Sequence, residues 1–381
     1  MKLARFDPAA FLASHWQQAP LQIRNPWDDW QCPIEPDELA GLACEPEVES
    51  RLVLRKSTEN WALEQGPFDA ERFAQLGNEP WTLLVQAVDH HMPEVAELLS
   101  QFRFIPSWRI DDVMVSFANT GGGVGPHFDQ YDVFLIQGRG RRRWRVGQQC
   151  TDSTPLKAHE DLKLLENFDE QAVYDLEPGD ILYVPPGVAH DGIALDDDCM
   201  TLSIGFRAPS RAELVTGWSD HVLDSLGEDD RFSDTGLKLQ ENPGEITPEA
   251  LGRLQAMVIE ALSDPAQFAR WFGGFNSAAK YPDIDWRPEE PITMEDVQSA
   301  LRQGHPVLRN FASRLMFVRE GEAILLFVDG ETYVCEGACA ALAEQLCAGT
   351  RLQVGSTDRS SQMLLLELAN LGAIAFEQQG D

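Results

Sequence analysis

Two histidines and one carboxylate carry the chemistry that is legible in this chain. His127 and Asp129 stand two residues apart in GGGVGPHFDQYDVFLIQGRGRRRW, residues 121–144, and the run EPGDILYVPPGVAH delivers His190. Alternate side chains on a β-strand share a face, so His127, Asp129 and Tyr131 are expected together on one surface of a strand. The corner Pro185-Pro186-Gly187 ends one strand and lets the next begin near His190, opposite the pair. Two neutral imidazoles and a carboxylate form a facial iron(II) site, with positions left open for a bidentate co-substrate and dioxygen. Zinc is the rival ion, since the same ligands bind it. His-x-Asp alone arises by chance in many chains, and a histidine near a turn is more often only hydrogen-bonded. The weight rests on the conjunction of a Gly-rich entry, the ligand pair, a PGD turn and a third ligand after PPG.

A second group of residues suggests what the open positions hold. In RRRWRV, residues 141–146, alternation puts Arg142 with Trp144 and Val146, and Arg141, Arg143 and Arg145 on the other face. The apolar companions make the face of Arg142 the inward one. A buried guanidinium needs an anionic partner. A dicarboxylate co-substrate would supply it, gripped by the guanidinium fork. A salt bridge to a core Asp or Glu is the alternative. In RIDDVMVSF the residues Asp112, Met114 and Ser116 share one face, and Ser116 is placed to give a hydroxyl to the same carboxylate. Thr201 and Ser203 alternate with Met200, Leu202 and Ile204. They are expected to line the cavity, or simply to fit the taper of a barrel.

The elements that must position these residues read as mixed α and β. Between about 108 and 207 short apolar or alternating runs are separated by Gly and Pro, as expected of a double-stranded β-helix barrel of the cupin type. Ahead of it, residues 1–105 mix short helices and strands. Phe11, Leu12 and Trp16 form an apolar cluster, and residues 20–23 are extended. The stretch PWTLLVQAVDHHMPEVAELLS is helical in period, with His90 and His91 as surface or cap groups.

At Ser210 the chain turns helical. Ser210 and Glu213 form a capping box, and Leu214, Trp218, Val222 and Leu226 recur at helical spacing. Thr247 and Pro248 open another helix, with Leu251, Leu254, Val258 and Leu262 as its stripe. So many apolar groups on a helical insert suggest burial against a second copy of the chain, in preference to packing on the barrel. A Pro/Asp-rich linker, residues 281–293, leads to a helix from Thr293, strand-like runs and two apolar helices. That mixture suggests a winged-helix-like module. Cys335, Cys339 and Cys347 read better as packed helix than as a thiolate metal site. The expected domains are 1–208 for the barrel and its flanking elements, 209–280 for a helical dimerisation region, and 281–381 for the winged-helix-like domain.

Charge narrows the partners. Thirty basic against 62 acidic residues give a net charge of −32. Such a surface opposes nucleic acid and anionic membranes and favours basic partners, unless it serves solubility alone. A docking role is therefore preferred over DNA binding for the winged-helix-like part. No run is long and apolar enough to span a membrane. Asp7 and His15 interrupt the apolar run that a signal peptide needs. Seven cysteines in a large chain agree with a reducing compartment. The cytoplasm is the expected location.

Several segments together resemble the JmjC-type iron(II)/2-oxoglutarate oxygenases, in their bacterial ribosomal-oxygenase branch. They are DELAGLA (37–43), SRLV (50–53), WTLLVQAV (81–88), WRIDD (108–112), GGGVGPHFDQYDVF (121–134), GRRRWRVG (140–147), LEPGDILYVPPG (176–187) and GFRAP (205–209). The resemblance implies a JmjC barrel, a helical dimerisation segment and a C-terminal winged helix. It implies hydroxylation of an arginine in large-subunit ribosomal protein uL16, with 2-oxoglutarate and dioxygen consumed and succinate and carbon dioxide released. The positions that match the iron ligands are His127, Asp129 and His190, and Arg142 matches the 2-oxoglutarate anchor. For an arginine substrate, Asp112 is expected to pair with the guanidinium, and Tyr131 and Met114 to pack its stem, with Ser203 as a weaker candidate. The acidic surface would then steer in a basic ribosomal protein. Two other readings stay open. One keeps the chemistry and changes the target to histidine or a methylated lysine. The other is a non-catalytic cupin scaffold that docks ribosomal proteins.

Overall fold

The fold was described from a computed structural model, which covers residues 1–57, 60–159, 161–355 and 357–377. The chain divides into two compact units, Met1–Ala208 and Pro209–Asp381. Each is described by itself.

The first unit is built on eleven strands. They are β1 (Leu21–Ile23), β2 (Ser50–Arg55), β3 (Trp61–Gln65), β4 (Trp81–Val85), β5 (Ile110–Ala118), β6 (Asp132–Arg139), β7 (Arg142–Gln149), β8 (Ala172–Leu176), β9 (Ile181–Val184), β10 (Val188–Ala194) and β11 (Cys199–Phe206). Eight form one sheet in the order β1-β9-β6-β11-β5-β4-β2-β3, and the other three form a second sheet, β10-β7-β8. From β8 to β11, strands that follow one another in sequence alternate between the two sheets, as the jelly-roll winding of a double-stranded β-helix requires.

Strict alternation sorts the side chains. On one face of the large sheet, Val113, Val115, Phe134, Ile136, Leu202 and Ile204 are buried under N-terminal residues that include Phe11, Trp27, Leu39 and Phe102. On the opposite face Val133, Leu135, Leu182 and Val184 meet Trp144, Val146 and Leu176 of the small sheet. A slip of one residue would exchange these sets, so the apolar pattern fixes the register. Asp132, fully buried, is held by the hydroxyl of Tyr183 at 2.6 Å, Gln17 Nε2 at 3.0 Å and Arg109 Nη2 at 3.1 Å. These bonds satisfy its charge and fasten the N-terminal segment to the sheet.

One expectation fails in the 80–100 region. Residues 81–85 form strand β4 between β2 and β5, and helical turns are left to Val88–His90, Pro93–Leu98 and Leu99–Phe102. The run Trp-Thr-Leu-Leu-Val carries strand formers as well as a helical period, and tertiary pairing decides between them. His90 is also buried rather than a surface group.

In the second unit the capping boxes are present. Ser210 with Glu213 opens Arg211–Leu223, Thr247 caps Pro248–Leu262, and Thr293 with Asp296 opens Met294–Gln303. A three-stranded ribbon of Leu315–Glu320, Ala323–Val328 and Glu331–Cys335 packs with helices Gly337–Ala348 and Arg359–Leu371 around Val297, Leu326, Leu342 and Leu365. Helix Pro265–Ser277 lies against this ribbon. A Cβ on Gly273 would drive into the ring of Phe327. A small sheet of Arg351–Leu352, Val307–Arg309 and Ile374–Phe376, which periodicity does not reveal, closes the unit. Cys335 and Cys339 sit in its core, and burial pushes the Cys335 thiol up to about 12.

Candidate metal centre and its cavity

The ligand pair does not lie on a regular strand, contrary to expectation. Residues 119–131 form a loop that enters β6, with left-handed backbone at Gly121 and Gly125. These glycines, and Pro126, break any ladder before it starts. A single antiparallel bridge replaces the strand: His127 N–H donates to the carbonyl of His190 at 3.0 Å, and His190 N–H returns the bond at 2.8 Å. Gly187 N–H donates to the carbonyl of Asp129 at 2.7 Å, which ties the PPG corner to the loop. His190 itself lies on β10, beside a register irregularity between Val188 and His190 opposite β7. Such bulges re-aim side chains and are common next to active sites.

The side chains then converge. One donor atom from each of His127, Asp129 and His190 lies within 4.8 Å of the others, and this is the one such cluster among the described residues. Asp129 Oδ2 is 3.9 Å from His127 Nε2 and 3.6 Å from His190 Nε2. Each imidazole donates through Nδ1 to a backbone carbonyl, His127 to Gly125 at 2.9 Å and His190 to Val188 at 3.0 Å. A carbonyl only accepts, so the proton sits on Nδ1 and the Nε2 lone pair faces the cluster. Burial first, then the neighbouring His127, lowers the pKa of His190 to about 4. A neutral imidazole is the form that binds a metal. The donor set therefore fits a divalent ion with a three-residue face.

The buried face of β7 carries an arginine. Arg142 is 3% exposed, and its Nη2 is buried without a hydrogen-bond partner. Its Nε donates to Cys199 Sγ at 3.3 Å, and its guanidinium lies 5.6 Å from the ring centroid of Trp144. The four arginines around it are all ion-paired. Arg139 meets Glu35 and Asp198, Arg141 meets Asp196, Arg143 meets Asp175, and Arg145 meets Glu170 and Asp191. No salt bridge reaches Arg142 among the described residues, so the core ion pair considered as an alternative is not found there. A buried guanidinium left in this state asks for an anion.

Strand β11 carries Cys199, Thr201, Ser203 and Gly205 in one phase. Thr201 pairs with Ser116 of β5 and Gln137 of β6, and Ser203 with Met114 and Leu135. Ser116, Thr201 and Ser203 are all buried, and the Thr201 hydroxyl donates to Gln137 Oε1 at 3.3 Å. Asp112 is a buried residue of β5, not a turn or surface carboxylate. Gln86 Nε2 at 2.6 Å and Ala87 N–H at 2.9 Å donate to its Oδ2. Tyr131 stands at the rim, half exposed. Burial of its phenol, then the carboxylates of Asp129 and Asp112, hold its pKa well above the usual value. Met114 packs with Val53, Trp61 and Leu84. The triad, Arg142 and the Asp112–Tyr131 rim thus belong to one barrel interior.

Sequence reasoning missed Gln137, Cys199 and Gln86. Alternation carries a signal for the first two, since Cys199 is in phase with Thr201 on β11 and Gln137 with Val133 and Leu135 on β6. Nothing local marks Gln86, which reaches Asp112 from outside the strand. The acidic run Asp196-Asp197-Asp198 is structural: it meets Arg141, Thr120 and Arg139 respectively.

Residues 97–214 match the JmjC domain family, and residues 260–375 match the ROXA-like winged helix. The ribosomal protein uL16 3-hydroxylase of Escherichia coli is 44% identical over 301 residues, which span 78% of this chain and 79% of that protein. The chain is a JmjC ribosomal oxygenase. A solved structure of E. coli ycfD matches with a TM-score of 0.90 at 38% identity, covering 99% of this chain and 100% of that one. A structure of that ribosomal oxygenase in complex with cobalt and 2-oxoglutarate matches with a TM-score of 0.86 at 37% identity, covering 99% of both chains. As a JmjC ribosomal oxygenase the chain is an enzyme of mixed α and β fold, with a cupin-type barrel and a winged helix. Among its described residues no helix is long and apolar enough to cross a membrane.

Proposed function

We propose that this ribosomal oxygenase is an iron(II)- and 2-oxoglutarate-dependent dioxygenase that hydroxylates an arginine side chain of large-subunit ribosomal protein uL16. The observation that carries the reading is Arg142, a buried guanidinium with an unbonded Nη2, set in the same barrel interior as the His127–Asp129–His190 triad. Bound iron(II), with 2-oxoglutarate and dioxygen, supplies the oxidising power: succinate and carbon dioxide leave, and one oxygen atom enters a substrate C–H bond.

The chain supplies everything else by position. His127, Asp129 and His190 hold the metal, their Nε2 atoms turned inward by the carbonyls of Gly125 and Val188. Arg142 takes the far carboxylate of 2-oxoglutarate, with the hydroxyls of Ser116 and Thr201 beside it. Gln137 orients Thr201, and Cys199 holds Nε of Arg142, so that the fork is set before the co-substrate arrives. Val133 and Leu135 wall the interior against water. At the rim Asp112 Oδ1 receives the substrate guanidinium while Gln86 and Ala87 fix Oδ2. Tyr131 and Met114 flank its stem, and Ser203 lies beside Met114 on the neighbouring strand.

The protein acts in the cytoplasm, where its ribosomal substrate is made, and as a homodimer. Helix Pro248–Leu262 has no buried residue, and Leu251, Leu254 and Val258 stand exposed along one stripe. A second copy of the chain covers them. The charge of −32 favours the basic substrate protein and opposes direct binding to nucleic acid.

Iron-loaded enzyme with 2-oxoglutarate should form succinate faster when uL16 is added, and His127→Ala should abolish the increment. No increment with wild-type enzyme would refute the reading.

A further inference from the structure

Four glycines lie inside strands of the barrel: Gly138 in β6, Gly147 in β7, Gly192 in β10 and Gly205 in β11. A glycine there weakens the strand and leaves nothing to pack, so each needs a reason. Three have one. A Cβ on Gly138 would lie 2.8 Å from Leu202 Cδ1, on Gly147 2.9 Å from the carbonyl oxygen of Asp169, and on Gly192 2.6 Å from the ring of Trp144. The chain itself fills the space that a side chain would take.

Gly205 has no such reason. A Cβ there would meet Asp112 Oδ1 at 3.8 Å, Tyr131 Cε2 at 3.9 Å and Asp111 Cβ at 4.0 Å, all ordinary contacts. Its φ is not in the left-handed region, so its backbone is open to any residue. The register with β5 shifts between Ile204 and Phe206, but pairing with β6 stays regular there, Gly205 opposite Val133. Without positive φ, this irregularity does not call for glycine. Neither packing nor backbone geometry accounts for the missing side chain. A glycine of this kind marks close approach by another molecule.

The surroundings say which. The position that a side chain on Gly205 would take lies beside a carboxylate oxygen of Asp112 and the ring of Tyr131. That is the lining wanted by a cation on a flat, apolar stem, and the guanidinium of arginine fits it. We propose that Gly205 determines specificity: its bare backbone opens the passage between Asp112 and Tyr131 through which the substrate arginine reaches the metal triad. This rests on the function proposed above. Where Ser203, in the same phase of β11, offers a hydroxyl, Gly205 offers only a flat peptide wall beside the ring of Tyr131. A side chain here occupies the passage without touching the metal ligands or Arg142.

The test compares wild type, Gly205→Ala and Gly205→Val as full-length proteins. Three quantities are read: hydroxylation of uL16, 2-oxoglutarate affinity of the manganese-loaded protein, and thermal midpoint. The methyl of alanine fits at contact distance, so that variant keeps the test alive if valine fails to fold. Expected are a fall in kcat/KM for uL16 of about tenfold for alanine and about a hundredfold for valine, mostly as a rise in KM. Co-substrate affinity and thermal midpoint should stay at the wild-type values. Wild-type kcat/KM in a folded valine variant would overturn the proposal, as would a loss of co-substrate affinity that tracks the loss of activity. Wild-type enzyme silent on uL16 would remove the underlying function and this inference together. An active wild type with indifferent variants would remove this inference alone.

Discussion

His127 and His190 face each other across one antiparallel bridge, with two backbone hydrogen bonds between them and ring centroids 4.3 Å apart. The same pair of peptide groups that joins loop to strand sets the spacing of two metal ligands. Each ring is then locked by its own carbonyl partner. His190→Ala should therefore lower metal affinity by well over about a hundredfold, the upper end of what loss of an outer partner costs. Titration of the metal-free protein with iron(II) or manganese checks this. Unchanged affinity would mean that the ion sits elsewhere.

Arg142 differs from its neighbours in having no carboxylate partner among the described residues. Its replacement by lysine keeps the charge and loses the fork. Arg142→Lys should cost about 1.5–3 kcal/mol of co-substrate binding, roughly ten- to a hundredfold in KM for 2-oxoglutarate. The KM for uL16 should move little. Equilibrium binding of 2-oxoglutarate to manganese-loaded protein reads the effect without turnover.

Asp112 decides between arginine and other targets. Asp112→Ala leaves a buried substrate cation without its partner, a loss of about 2–5 kcal/mol. For an arginine substrate kcat/KM should fall accordingly. A histidine pocket would lose far less. Steady-state kinetics on uL16, with the thermal midpoint measured alongside, separate these outcomes.

Gly192 tests the barrel itself. It lies on β10 beneath the indole of Trp144, and a methyl there collides with the ring. Gly192→Ala should destabilise the protein by about 1–3 kcal/mol through overpacking. Chemical denaturation measures the change, and a wild-type midpoint would contradict the packing described.

The exposed stripe on helix Pro248–Leu262 gives a prediction of another kind. Leu254→Glu with Val258→Glu should convert dimer to monomer, as read by light scattering on a sizing column. A wild-type protein that is monomeric at every concentration would rule out the second copy.

Much of this site was legible in the residues because alternation is a strict rule. It separated Arg142 from Arg141, Arg143 and Arg145 and put Asp112, Met114 and Ser116 on one face, and the structure keeps both groupings. It failed where no regular strand exists. His127 and Asp129 lie in a glycine-broken loop, and their convergence depends on a bridge to His190 that no local pattern announces. The same limit hid Gln86, whose bond to Asp112 spans 26 residues of chain. Residues 81–85 were misread because the same apolar run satisfies a helical and a strand period, and only pairing with β2 and β5 resolves it. The role of Gly205 was invisible for a different reason: a glycine shows its purpose only when the space beside it is known.

The most direct test of the central claim is the mass of uL16 after reaction. The protein should be incubated with iron-loaded enzyme, 2-oxoglutarate and air, then digested and fragmented. The account predicts the added mass of one oxygen atom on a single arginine, in step with succinate formed and absent with His127→Ala. An unchanged uL16, or an oxygen placed on another residue type, would contradict it.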